Sequence, residues 1–139
     1  MQIYIQHYGP IKDKTYEETM LDVYHEIRHG EEEVPFRSWN YDSWFYYYCV
    51  HGVQNWTARP DVFPKGMESV YQETSLPVIA HNKYWCNSTN YAKQNGGQYD
   101  FILDNNTGGA VPQDLTFWED LFKNASAWGL KGEIILVFE

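Results

Sequence analysis

The residues whose types and spacing could do chemistry gather first in residues 34–49, VPFRSWNYDSWFYYYC. Phe36, Ser38 and Asn40 alternate with Arg37, Trp39 and Tyr41, a period of two that predicts a strand opened by Pro35. That strand runs into Asp42, and Ser43, Trp44 and a run of aromatics follow at once. An ionised carboxylate accepts hydrogen bonds from hydroxyls, and flat amphipathic rings stack on the apolar face of a pyranose. Asp42 with Trp44 is therefore a candidate sugar site. The alternative is an edge strand whose aromatics fill a core.

A second group closes residues 76–82, an apolar run that ends in His81 and Asn82, with Tyr84, Trp85 and Cys86 just beyond. Continuous apolar runs suit strands buried on both faces of a parallel sheet. Cys49-Val50-His51 and His81 with Cys86 match no tight metal-ligand spacing, so no metal is expected. Gly96-Gly97 and Gly108-Gly109 do not stand between a strand and a helix as a phosphate loop requires. They read as turn glycines. No cofactor motif is present, and Arg59 is placed to pair with Asp61 and order its own loop.

The elements that must position these groups are legible in outline. Residues 1–8 alternate and stop at Gly9-Pro10, which predicts a first short strand. Thr15 and Glu18 form a capping box, and Met20, Val23, Tyr24 and Ile27 recur behind it at helical spacing until Gly30. His25 and His29 lie one turn apart on this helix with no further ligand nearby. Glu31-Glu32-Glu33 reads as a solvated loop, and residues 51–66 as a long polar, Pro-containing loop of the kind that often carries function. Met67, Val70 and Tyr71 suggest a short helix, residues 99–103 an extended patch, and Thr116 with Glu119 a second capping box. Its helix carries a stripe of Trp118, Leu121, Phe122 and Ala125, and residues 134–138 form a last apolar strand. The order strand, helix, strand, helix, strand, helix, strand predicts an α/β fold with parallel strands. In such folds the polar residues just past the strand ends form the site.

Composition narrows the partners. At 139 residues the chain is sized for one core, and aromatics make up 18% of it. A net charge of -9 argues against nucleic acid and against an anionic membrane surface, and no apolar run is long enough to span a bilayer. Four N-x-S/T sequons, at Asn55, Asn87, Asn105 and Asn124, point to the secretory pathway, although the N-terminal residues do not read as a signal peptide. In an oxidising compartment the two cysteines, Cys49 and Cys86, form a candidate disulfide.

Three segments in order resemble a known family: NYDSWFYYY, then NWTARPDVFPKGMESVY with PVIAHNKYWC, then YAKQNGGQYDFI leading to FWEDLFKNASAWGL. From about Lys14 onward they resemble the early part of α-galactosidase-like and raffinose-synthase-like glycoside hydrolases. The resemblance implies a partial (β/α)8 TIM-type barrel over residues 1–139, the N-terminal half, with about four parallel strands alternating with helices. It implies retaining O-glycosyl hydrolysis in the full-length protein. Asp42 would then hold substrate hydroxyls, Trp44 and Trp85 would line the sugar subsite, and His81 and Asn82 would supply polar contacts.

The family's nucleophile would fall beyond Glu139, and its acid/base carboxylate later still. A retaining glycosidase needs two carboxylates about 5 Å apart, so Asp42 alone is not a catalytic pair. The expectation is a chain without catalytic residues, inactive by itself, that meets carbohydrate and either the remaining half of the barrel or another copy. A non-catalytic carbohydrate-binding α/β module is the alternative. A non-carbohydrate domain whose aromatics only pack is the third.

Overall fold

A computed structural model describes residues 13–29, 38–41, 46–49, 52–82, 84–131 and 134–136. The expected strand over residues 1–8 lies outside them. The first described element is α1 (Tyr16–His29), with acidic Glu17 and Glu18 in its first turn and basic Arg28 and His29 in its last, as the helix dipole favours. The capping box forms: the Thr15 N–H donates to Glu18 Oε2 at 2.8 Å, and the Glu18 N–H donates to Thr15 Oγ1 at 3.2 Å. Met20 is buried, and Leu21, Tyr24 and Ile27 pack on the core beside it.

The strands form two sheets. In the first, β1 (Trp39–Tyr41), β4 (Val78–Asn82) and β8 (Ile134–Leu136) are parallel, with β4 in the middle. The second joins β2 (Tyr47–Tyr48), β3 (Val53–Asn55), β5 (Trp85–Cys86), β7 (Gly109–Pro112) and β6 (Phe101–Leu103) in that order. Only its β3–β5 pair is parallel; the other three are antiparallel.

This overturns the expected partial barrel of about four parallel strands alternating with helices. Parallel pairing among the described residues reaches three strands in the first sheet, and most strands belong to the mostly antiparallel five-stranded sheet. The physical reason lies in the connections. Stretches that read as loops contain short strands and tight turns, and a turn of a few residues closes an antiparallel pair where a parallel pair needs a long crossover. The β6–β7 hairpin turns through residues 104–108, where the Gly108 N–H donates to the Asp104 carbonyl at 2.9 Å. Gly108 has φ 73, a left-handed conformation glycine adopts without penalty.

The two remaining helices are α2 (Met67–Thr74) and α3 (Leu115–Ala127). The Phe-Pro-x-Gly-Met motif has a structural role at the start of α2. Phe63 and Met67 are buried, and Gly66 is the N-cap with φ 82. The cap of α3 differs from expectation. Asp114 accepts from the Thr116 N–H at 3.0 Å, so Thr116 lies inside the helix rather than capping it. Its buried face is Phe117, Leu121 and Ala125, while Phe122 is exposed. Phe117 is the hub: its ring makes edge contacts at 5.0 to 5.3 Å with Trp85, Tyr91, Tyr99, Phe101 and Trp118. One core cluster includes these residues and Trp39, Val78 and Ala80 of the parallel sheet. No helix among the described residues is long and apolar enough to cross a membrane.

Candidate functional site

The carboxyl edge of the parallel sheet positions the residues that sequence reasoning singled out. Tyr41 pairs with Ala80, so β1 ends beside the last residues of β4. His81 and Asn82 are those last residues, in register with Ile135 and Leu136 of β8. Asp42 follows Tyr41 directly in the sequence. Asp42 and Trp44 themselves lie outside the described residues.

Trp85 does not take the position expected for it. It is 1% exposed. Its ring meets Tyr91 at 5.3 Å and Phe117 at 5.1 Å, which leaves it in the core rather than on a sugar subsite. The reason is alternation along the chain. Trp85 pairs with Ala110, which pairs in turn with Leu103, and this face of the second sheet turns to α3. Tyr84, one residue earlier, is 40% exposed.

Tyr84, Ile102, Val111, Gly109, Asp104 and Thr107 line an open groove of about 380 Å³, near the small end of ligand sites. Sequence reasoning missed these residues. The signal available was that Ile102 and Val111, apolar residues, stand next to the equally apolar Phe101 and Ala110, giving both faces of a hairpin an apolar character. Asp104 anchors the groove's rim. Its carboxylate accepts from the Thr107 hydroxyl at 2.6 Å and from the Asn106 N–H at 2.8 Å. Both bonds hold the carboxyl below its usual range, the Thr107 hydroxyl most strongly.

Cys49 and Cys86 are joined as a disulfide with a Cα–Cα distance of 6.4 Å, within the range such bridges use. The bridge ties the end of β2 to β5, and so cannot offer thiolates to a metal. The four sequons differ in setting. Asn55 is half-buried in β3, where its Oδ1 accepts from the Tyr91 hydroxyl at 2.9 Å. Asn87 Nδ2 donates to Asn105 Oδ1 at 3.3 Å, and Asn124 is exposed on α3. Arg59 pairs with Asp61 and holds that carboxyl below its ordinary range. Arg59 thus orders its loop, as expected.

No protein-family model, curated protein or solved structure matches this chain.

Proposed function

We propose that this chain binds carbohydrate, in the manner of a glycoside-hydrolase-like protein, and that its own residues hold sugar rather than cleave it. The observation that carries the reading is the placement of His81 and Asn82 at the carboxyl end of the middle parallel strand, beside a strand that runs directly into Asp42. Ligands of parallel sheets bind outside the carboxyl ends of the strands, close to where neighbouring strands finish together. The groups assigned there are one carboxylate, one imidazole and one amide. They accept and donate to hydroxyls without needing a charged ligand. A single carboxylate is half of what retaining hydrolysis requires, which favours binding over chemistry.

The test is calorimetric titration of the chain with neutral oligosaccharides, α-galactosides among them, beside Asp42→Ala. Removing a hydrogen bond to a charged group costs about 1.5–3 kcal/mol, so affinity is expected to fall by roughly 10- to 100-fold. The melting temperature should stay where it is. A variant that instead loses stability, in a chain that binds no saccharide, would favour a purely structural role for Asp42.

A further inference from the structure

We propose that the uncovered face of the β5–β7–β6 sheet is a second carbohydrate subsite, which seats a neutral sugar ring against Tyr84 with Asp104 and Thr107 meeting its hydroxyls. This rests on the carbohydrate reading above and extends it to a surface that reading does not use.

Strand pairing defines the face. Ile102 pairs with Val111, and both lie opposite the Phe101, Leu103 and Ala110 side that packs toward α3. Ile102 is 55% exposed and Val111 61%. An antiparallel sheet with one face on the core ordinarily presents polar residues on the other. Here Tyr84, Ile102 and Val111 instead form an apolar floor with open space above it. Such contiguous exposed apolar surface marks a binding site.

The polar groups are placed at the rim and are already ordered. Asp104 spends one contact per oxygen on the turn, Oδ1 on the Asn106 N–H and Oδ2 on the Thr107 hydroxyl. A carboxylate offers about four lone-pair positions, so each oxygen retains one for a ligand hydroxyl. An apolar floor with a fixed acceptor at its edge is the pattern that suits a pyranose, whose ring face is apolar and whose rim is hydroxylated. The carboxylate, in a chain of net charge -9, repels phosphorylated, sulfated and uronic ligands. The sugar class is neutral.

Tyr84 is held in advance. Its carbonyl accepts the Val53 N–H at 2.9 Å, which anchors the backbone beneath the ring. Gly52 makes that approach feasible: a Cβ there would sit 2.4 Å from the Tyr84 carbonyl oxygen and 2.9 Å from its Cδ2. Preorganisation of this kind lowers the entropic cost of binding. Tyr84 also follows Asn82 by two residues, so the two lie within roughly 7 Å along the backbone. A glycan of several rings held at the strand ends by His81 and Asn82 would extend across the groove.

The experiment titrates the full chain with neutral oligosaccharides of increasing length, following β6 and β7 amide resonances and affinity together. The variants are Tyr84→Ala, which leaves the anchoring carbonyl in place, and Asp104→Asn, which keeps an acceptor for the turn while removing the charge. For the longer saccharides each is expected to lower affinity by about tenfold, with monosaccharide affinity unchanged and the wild-type β6 and β7 resonances shifting on addition. If saccharides bind in a manner that depends on Asp42 but neither variant changes affinity at any length, the second subsite is wrong and the first reading stands. If no saccharide binds, both fall. If Tyr84→Ala converts a dimer to a monomer without altering sugar affinity, the face is a protein interface and the proposal is overturned.

Discussion

Glu17 is 2% exposed, an unusual place for a carboxylate, and its neighbours explain why it is tolerated. It accepts from the Lys65 N–H at 2.9 Å and from the Ser69 hydroxyl at 3.1 Å, so a side chain of α1 meets the free donors at the start of α2. Tyr99 is a second polar group used for structure. Its hydroxyl donates to Asp120 Oδ2 at 2.8 Å, and its pKa is pushed up from 10.0 to about 12, by burial first and by Asp120 second. The folded chain therefore keeps this proton at pH values where the unfolded chain has released it. The stabilisation is complete below about pH 10 and is lost as pH rises toward 12. Alkaline unfolding should show this: Tyr99→Phe is expected to lose stability less steeply than the wild type between pH 10 and 12. Phenolate absorbance should show one fewer late-titrating group. A Tyr99 that ionises with the exposed tyrosines would contradict the assignment.

At the scale of elements, the ends of the helices decide how they meet. Gly129 follows the Trp128 C-cap of α3 with φ 111, and a Cβ there would lie 2.2 Å from the Glu68 backbone nitrogen in the first turn of α2. Both the left-handed backbone and the close approach require glycine. Gly129→Ala should cost about 3 kcal/mol or more, combining backbone strain with overpacking, and urea denaturation would measure it. An unchanged midpoint would mean that α2 and α3 do not make this approach. These elements also show what local sequence carries. The α1 capping box, the α2 turn behind Gly66 and the apolar run of β4 were legible because each depends on residues within a few positions. β2, β3, β5 and β7 were not, for they are two to four residues long and their partners are distant. Val53 pairs with Trp85, and no periodicity in residues 51–66 announces such a match.

For the whole molecule, the disulfide is the covalent link between distant parts. Cys49 and Cys86 are 37 residues apart in sequence, and closing a loop of that length restricts the unfolded chain. The stabilisation expected from loop closure is about 3–4 kcal/mol. Comparing urea midpoints of oxidised and reduced protein tests it. Two free thiols counted on the unreduced chain would remove the bridge altogether. The bridge joins β2 and β5 of the five-stranded sheet, so reduction should loosen that sheet, with the groove on its outer face, before the parallel one. Amide exchange at β5 and β7 would report the order.

What the sequence determined by itself was local: an aromatic-rich, acidic composition, the three helices, the apolar strand that ends in His81 and Asn82, and the cysteine pair. Each follows from side-chain periodicity, capping chemistry or residue type. The tertiary structure alone decided the sheet architecture, because hydrogen-bond pairing between short strands depends on which segments meet in space. That pairing also decided the fate of two neighbouring rings. One residue's difference in register sends Trp85 into the core against Phe117 and leaves Tyr84 facing solvent, since successive side chains of a strand point to opposite faces.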